Sequence, residues 1–247
     1  MDLLSLLGVI LAFAALLGGT LLEGGTLASL INIPAAVIVI GGTLAAITLQ
    51  TSMPVLRRAL VLLGWVFSPP RVSMNDGVEK AVNWSIKSRK DGILGLESAT
   101  ESESEPFAQK GLQLLIDGVE PEMIRTMLET DLESREQRDL EAARVFEAMG
   151  GYAPTIGIIG AVMGLIQVMT NLEDPASVGT GIATAFVATI YGIALANLLC
   201  FPVASKLRSI IHYRSRYQEM MIDGLLAVLE GENPRTIELR LHGFMHR

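Results

Sequence analysis

The side chains that could handle an ion are hydroxyls inside a long apolar segment. Thr184, Thr189 and Tyr191 lie within residues 180–204, which contain no charged side chain. A hydroxyl can line a wet path for an ion, but it does not titrate near neutral pH and cannot carry a proton. Many membrane hydroxyls only donate to carbonyls of their own helix. A titrating carboxylate for proton transfer would therefore have to come from another polypeptide.

Other kinds of chemistry have no support in the sequence. There is no nucleophile or phosphate-binding motif of the G-x-S-x-G or G-x-x-x-x-G-K-[ST] kind. Cys200 is the only cysteine, and His212, His242 and His246 stand apart from any ligand cluster at metal-binding spacing. The net charge of −7 argues against nucleic acid. We predict no enzymatic activity, no cofactor, no metal and no nucleic-acid partner.

Four segments without charged side chains predict transmembrane helices, at about 3–22, 33–51, 152–171 and 180–204. Each is near the 20 or so apolar residues that cross a hydrocarbon core of about 30 Å. All 19 Lys and Arg residues lie between Arg57 and Arg144 or after residue 205. By the positive-inside rule, both termini and the long central loop are cytoplasmic. The turns around Glu23 and Asp174 then face the other side.

These features predict an all-α membrane protein with four transmembrane helices in two hairpins, a large helical cytoplasmic loop and a cytoplasmic C-terminal helix. The predicted domains are a first hairpin at 1–51, the loop at 52–151, a second hairpin at 152–204 and cytoplasmic helices at 205–247. Within the loop, a helix should begin at Ser73 or Asn75 and stop at Gly92. The acidic, serine-rich segment 97–105 is expected to be a solvated, flexible loop.

Small residues recur at helical spacing in the third and fourth predicted spans. They are Gly157, Gly160 and Gly164 in one span, and Ala185, Ala188, Gly192 and Ala196 in the other. Such faces let helix backbones approach closely in lipid. Because these faces need partners and the chain lacks a proton carrier, we expect a homo-oligomeric ring around a partner's helix pair.

Six segments carry a resemblance to a known family. They are MDLLSLLGVI at 1–10, KSRKDGILGLE at 87–97, KGLQLLIDGVEPEMIR at 110–125, GGYAPTIGIIGAVMGLI at 150–166, ATIYGIALANLL at 188–199 and GLLAVLEGENPR at 224–235. Over nearly its whole length the chain resembles the A subunit of the bacterial flagellar motor stator, the MotA/PomA family within the wider MotA/TolQ/ExbB proton-channel group. It is nearer to the branch that includes PomA than to the enterobacterial type.

The resemblance implies an ion-conducting, torque-generating stator subunit in the bacterial inner membrane. Family members set a basic and an acidic residue, matching Arg89 and Glu97, against the rotor switch protein. Two prolines, matching Pro154 and Pro202, couple channel events to loop movement. Five A chains, a homopentamer, surround two B-type chains that carry a membrane aspartate and a peptidoglycan-binding domain. From spacing alone, the charges would be solvated surface groups and the prolines helix terminators.

The resemblance also bears on the coupling ion. Sodium-driven members pair a threonine in the third span with one in the fourth, and the matching positions here are Ala161 and Thr189. Sodium needs several oxygen ligands, so the loss of one predicts a proton path, lined by Thr189 with Tyr191 nearby. Alternatively, Ala161 is only a packing residue beside Gly160 and Gly164, and the partner chain selects the ion.

Two other functions stay open at this point. One is the A-type subunit of a TolQ/ExbB-like energy-transducing complex, although those chains are shorter and usually have three spans. The other is a scaffold or secondary transporter that acts alone. The sequence leaves open whether this is the sole or the second stator of its cell, which B subunit it pairs with, and whether it drives swimming or swarming.

Overall fold

The computed structural model describes residues 3–22, 24–70, 72–170, 173 and 175–245, and every regular element among them is helical. The predicted all-α class is thus confirmed. The α-helices are α1 Leu3–Leu22, α2 Ile33–Ala36, α3 Gly42–Gln50, α4 Met53–Leu63, α5 Met74–Asp91, α6 Glu97–Ser102, α7 Pro106–Ile116, α8 Pro121–Thr170, α9 Pro175–Ala194, α10 Phe201–Leu229 and α11 Pro234–His242. Single turns of 3-10 helix span Leu27–Leu30, Gly64–Val66 and Ile93–Leu96, and π-helical segments span Val37–Gly41 and Leu195–Cys200.

Within the described residues, three helical segments are long and apolar enough to cross a membrane, namely Leu27–Gln50, Pro121–Thr170 and Val178–Leu229. Leu6–Leu22, within α1, is a shorter apolar helix. The predicted boundary at 151/152 falls inside α8 and the one at 204/205 inside α10. Glu23 and Asp174, which mark the two predicted turns, lie outside the described residues.

Residue contacts divide the chain into two compact units. The first combines the chain up to Pro69 with Asp139–Ser209, and the second combines Pro70–Arg138 with the chain from Ile210 onward. The long helices α8 and α10 each contribute residues to both units. The apolar candidate spans therefore belong mainly to the first unit, and the charge-rich helices to the second.

The second unit is a helical bundle around a single apolar core. Fully buried side chains from four of its helices include Phe107, Ile124, Leu225 and Ile237. Gly111 of α7 allows a close approach to α10, since a Cβ there would lie 2.3 Å from Leu225 Cδ1. Burial of these side chains, rather than helix propensity alone, holds the short helices in place.

Helix α5 begins and ends at predicted positions. The hydroxyl of Ser73 accepts a hydrogen bond from the Asp76 amide at 3.3 Å, so Ser73 rather than Asn75 is the N-cap. The helix stops before Gly92, whose φ of +75° is a backbone conformation that favours glycine. Local sequence signals therefore account for both ends of this helix.

The prediction of a flexible loop at 97–105 is wrong. Its first six residues form α6, and the following carboxylates have fixed partners. Glu103 accepts a hydrogen bond from Lys80 Nζ at 2.7 Å, and only 3% of its side chain is exposed. Glu105 caps α7 by accepting from the Ala108 amide at 2.8 Å. The acidic composition predicted that these carboxylates would be solvated. In the fold, other helices of the bundle supply their hydrogen-bond partners instead.

Two titratable groups of the second unit have shifted pKa values. Burial first, and then the carboxylate of Glu105, raises the pKa of Tyr217, so its phenol stays neutral. Burial alone would raise the pKa of Asp131, but hydrogen bonds from Arg135 at 2.9 Å and Lys110 at 3.3 Å outweigh it and lower that pKa. Neither group therefore exchanges a proton near neutral pH.

In the first unit, an ion pair joins α4 to α8. The Arg58 guanidinium donates to both carboxylate oxygens of Asp139, at 2.7 and 2.8 Å, and also lies 5.2 Å over the ring of Trp65. Bidentate geometry makes this one of the stronger kinds of ion pair. It fixes α4 beside the part of α8 that leads into the third predicted span.

Candidate ion-path helices and coupling residues

The small-residue faces of α8 and α9 pack against each other. A Cβ on Gly157 would lie 2.9 Å from the Ala188 carbonyl oxygen, and one on Gly192 would lie 2.5 Å from that of Ala153. Farther along, a Cβ on Gly164 would lie 2.8 Å from the Gly181 carbonyl oxygen. The two backbones are thus in direct contact, as the predicted packing of helices requires.

This pairing changes the argument for an oligomer. The small residues find their partners within the same chain, so they do not by themselves require a second copy. Gly160, for example, faces Ala188 and Ile38, and a Cβ there would lie 2.8 Å from the Ala188 Cβ. The faces of α8 and α9 that stay exposed in the described part of the chain are instead lined by large apolar side chains. They include Ile158, Ile159, Val162, Met163, Ile166, Phe186, Ile190 and Ile193, all exposed.

The threonines in this region are hydrogen-bonded to their own helix. Thr189 Oγ1 donates to the Ala185 carbonyl at 3.1 Å, and Thr184 Oγ1 donates to that of Thr180 at 3.0 Å. Both hydroxyl oxygens keep lone pairs that can accept a further bond. A Cβ on Gly157 would lie 3.5 Å from the Thr189 Cα, and Ala161 lies one turn farther along α8. The structure therefore sets Thr189 on the contact between the two helices.

Tyr191 connects α9 to the turn that precedes α2. Its hydroxyl donates to the Leu30 carbonyl and accepts from the Asn32 amide, the latter at 3.3 Å. The Asn32 side chain also donates to Thr184 Oγ1 at 2.9 Å. These bonds join residues about 150 to 160 positions apart in the chain. Tyr191 thus positions α9, and its hydroxyl is occupied in this arrangement.

Asn32 is a residue that the sequence analysis missed. Its carboxamide oxygen accepts from the Ala35 amide at 3.0 Å, so it caps α2 while its nitrogen reaches Thr184. An Asn followed by Ile-Pro is a recognisable helix start. That signal predicts the cap, but nothing local predicts the contact with Thr184.

Pro154 does not terminate a helix. It lies inside α8, which continues to Thr170. A proline has no N–H, so the carbonyl of Gly150, four residues earlier, lacks its usual partner. The interpretation of Pro154 as a helix terminator is therefore wrong. Pro154 instead weakens one turn within a continuous helix.

Pro202 does not terminate a helix either. It is the second residue of α10, the helix that directly follows the π-helical segment Leu195–Cys200. Such segments accommodate a break in the i to i−4 hydrogen-bond ladder. The ring of Phe201 lies over Gly150, since a Cβ on that glycine would be 2.7 Å from Phe201 Cε1. The structure thus brings the turn before Pro154 against the turn that contains Pro202.

Arg89 and Glu97 lie on either side of a helix end, as predicted. Arg89 is in the last turn of α5, and Glu97 is the first residue of α6. Both side chains are exposed, and neither forms an ion pair within the described part of the chain. Leu94, between them, is 67% exposed. This corner can present one cation and one anion, with an apolar side chain between them, to another molecule.

The last feature to consider is the arrangement of side chains that could bind a metal ion. Among the described residues, no group of three or more His, Cys, Asp or Glu side chains could hold a metal ion. The candidate site therefore consists of packed helix faces, hydroxyl groups and the turns at Pro154 and Pro202.

Comparison with known proteins identifies the family. Residues 99–220 match the MotA/TolQ/ExbB proton channel family, and residues 6–80 match the motility protein A N-terminal region. Motility protein A of Bacillus subtilis is 34% identical over 242 residues, which cover 98% of this chain and 90% of that protein. The chain belongs to the motility protein A family. Chemotaxis protein PomA of Vibrio alginolyticus is 32% identical to this member, over 100% of this chain and 96% of PomA.

Solved structures of the motility protein A family have the same fold. MotAB of C. jejuni matches with a TM-score of 0.94 and 31% identity, covering 99% of this chain and 96% of that one. The MotAB stator complex of Bacillus subtilis matches with a TM-score of 0.90 and 34% identity, over 97% and 95% of the two chains. The resemblance read from the sequence is thereby confirmed.

Proposed function

We propose that this chain is the ion-conducting, torque-generating A subunit of a bacterial flagellar motor stator. The observation that carries the proposal is similarity over the full length, at 34% identity, to a motility protein A. The match of residues 6–80 to the motility protein A N-terminal region favours this function over a TolQ/ExbB-like complex. The protein acts as a channel subunit and not as an enzyme.

In this proposal the chain crosses the inner membrane four times, with both termini in the cytoplasm. The spans are α1, the segment Leu27–Gln50, the second half of α8, and α9 with the start of α10. The distribution of Lys and Arg supports the orientation, since residues 1–56 and 145–205 contain neither.

The proton carrier is supplied by a B-type partner with a membrane aspartate and a peptidoglycan-binding domain. Two observations support such a partner. The similar solved structures are MotAB complexes, and the predicted spans contain no titratable Asp, Glu, Lys, Arg or His. Five A chains around two B chains would cover the exposed apolar faces of α8 and α9.

The mechanism assigns a separate role to each group. Ions pass along the A/B interface near Thr189 and Ala161, and proton binding and release at the partner's aspartate alternate. Pro154 and Pro202 lie on turns that contact each other through Gly150 and Phe201, so a bend in one helix displaces the other. Helices α8 and α10 both continue into the charged bundle. Arg89 and Glu97 then act on the charges of the rotor switch protein.

The experiment is complementation with two readouts. The chain is expressed with the B-type protein of its gene neighbourhood in a strain without stators, and both motility and co-purification of the two chains are measured. We expect motility only when both chains are present, and a stable A/B complex. Restored outer-membrane energisation without motility would indicate the TolQ/ExbB-like function. Ion conductance by the A chain alone would indicate an independent transporter.

A further inference from the structure

The turn of α8 around Pro154 has two local features that weaken it. Pro154 lies inside the helix and leaves the Gly150 carbonyl without its usual N–H donor. Directly after it, Thr155 Oγ1 donates a hydrogen bond to the Tyr152 carbonyl at 2.8 Å. Threonine hydroxyls that bond back to their own helix slightly destabilise it and often bend it. Contacts with other helices must therefore contribute to the course of α8 at this turn.

Helix α3 contacts α8 on both sides of Pro154. At the start of α3, a Cβ on Gly42 would lie 2.9 Å from Ile156 Cγ2, so the two helices pack closely there. Gln50 is the last residue of α3, and its Oε1 accepts a hydrogen bond from the Tyr152 hydroxyl at 2.7 Å. Tyr152 precedes the proline by two residues, and Ile156 follows it by two. The second predicted span thus bridges the weakened turn.

The bond between Tyr152 and Gln50 depends on the orientation of α8. A hydrogen bond requires its two oxygen atoms to lie within about 2.5 to 3.0 Å, whereas apolar packing such as that of Gly42 on Ile156 is non-directional. When α8 bends at Pro154, Tyr152 moves relative to Ile156, and a rigid α3 cannot keep both contacts. Tyr152 is 37% exposed, so packing restricts its side chain only in part. The hydrogen bond is therefore the contact that opens when the turn bends.

We propose that Tyr152 and Gln50 are positioning residues for Pro154. Their hydrogen bond holds the parts of α8 before and after the proline in one relative orientation, and it opens when the helix bends. The inference rests on the coupling role of Pro154 given under the proposed function. The strength of this one bond then sets how often α8 bends at the turn.

The first test measures opening of the turn by hydrogen–deuterium exchange of the full A/B complex in nanodiscs. Tyr152→Phe removes the donor, and Gln50→Leu removes the acceptor. We expect each variant to exchange the amides of residues 150–158 about fivefold faster, which corresponds to the loss of one hydrogen bond. The double variant should exchange no faster than either single variant, because all three lose the same bond. Gln50→Glu keeps an acceptor and should retain the exchange rate of the unaltered complex.

Two comparisons separate this role from a general loss of stability. Tyr213→Phe is the matched control, since Tyr213 is 41% exposed on α10 and has no hydrogen bond within the described part of the chain. It should leave exchange at residues 150–158 unchanged. In a Pro154→Ala background, the alanine N–H restores the bond to the Gly150 carbonyl, so the further change Tyr152→Phe should accelerate exchange by less than about twofold.

The second test measures the rotation of single motors in a strain without other stators. Tyr152→Phe should slow rotation at low load, where the rate of conformational steps limits speed. Torque near stall should stay unchanged, because it depends on the ion gradient and not on the rate of a step. Gln50→Glu should rotate as the unaltered chain does. Exchange requires no ion flux or rotation, so a failed exchange result would leave the stator function standing, and motors that stay still with the unaltered chain would contradict only that function.

Four outcomes would show that the proposal is wrong. Exchange at residues 150–158 could be unchanged in Tyr152→Phe, or the two single effects could multiply in the double variant with Gln50→Leu. Tyr152→Phe could have the same effect with and without Pro154, which would separate the bond from the proline. Normal rotation of Tyr152→Phe motors at every load would remove the bond from coupling.

Discussion

Hydrogen bonds hold the polar side chains of the predicted ion path in defined places. Thr189 and Thr184 donate to their own helix, and Tyr191 is bonded to the turn at Leu30 and Asn32. A membrane offers no water to replace such bonds, so a freed group there has few alternatives. We therefore propose that these residues affect the path through their positions in the helix packing.

Removal of the Asn32 side chain should loosen α9. Asn32→Ala loses the bond to Thr184 and the cap of α2, at a cost of about 1 kcal/mol. Tyr191→Phe keeps the ring and removes only the hydroxyl. Thermal unfolding of the purified complex should show a lower midpoint for each variant and a smaller than additive loss for the pair, because both side chains act on one junction. Strictly additive losses would show that the two contacts are independent.

The coupling ion is the second prediction at this scale. Sodium-driven members of the family that the sequence resembles have a threonine in both the third and the fourth span. This chain has Ala161 at the first of these positions and Thr189 at the second, so we expect a proton to be the coupling ion. Swimming speed should persist in sodium-free medium and fall when an uncoupler collapses the proton gradient. Loss of motility without sodium, at an intact proton gradient, would show that the partner chain or another site selects sodium.

At the scale of elements, the hairpin of α8 and α9 depends on direct backbone contact. A Cβ on Gly192 would lie 2.5 Å from the Ala153 carbonyl oxygen, whereas one on Gly151 meets nothing within 4 Å. Both glycines lie within helices. Substitutions at Gly192 and Gly151 can therefore be compared, one at a crowded position and one at an open position.

Gly192→Ala should separate the two helices and destabilise the complex by about 1 to 3 kcal/mol, the usual cost of overpacking. Gly151→Ala should be neutral or slightly stabilising, because alanine favours helix more than glycine does. The amount of folded complex after heating in detergent measures both effects. Equal stability of the two variants would show that α8 and α9 can move apart without cost.

At the scale of the whole molecule, the apolar helices and the charged bundle contain different candidate functional groups. Most of the apolar candidate spans belong to the first unit, and the second contains the corner with Arg89 and Glu97. Among the described residues, this corner has no internal ion pair for either charge, so the charges are available to a partner.

Reversal of one charge at this corner should impair torque but not assembly. Arg89→Glu is compared with Lys90→Glu, since both residues are exposed in the last turn of α5. In a strain with no other stator, we expect Arg89→Glu to reduce swimming strongly at normal membrane abundance, and Lys90→Glu to have a smaller effect. A reversed charge on the rotor should restore part of the loss. Normal swimming by Arg89→Glu would remove Arg89 from the rotor contact.

The sequence by itself determined the features that depend on neighbouring residues. The apolar segments, a helix start at Ser73 or Asn75 and the stop at Gly92 were predicted from the sequence. Helix formation depends on residues within a few turns, and each of these signals acts within that distance. The family was also recognisable, because its motifs are short contiguous segments.

Only the tertiary structure decided which faces and groups meet. The Arg58 and Asp139 pair joins residues 81 positions apart, and the Lys80 and Glu103 bond spans 23. The bond from Tyr191 to the Leu30 carbonyl spans 161 positions. A helical pattern shows which side of a helix is apolar or small, but the partner of that side depends on how the helices pack. For this reason, the small faces of α8 and α9 predicted close helix packing, and only the folded chain shows that these two faces pack against each other.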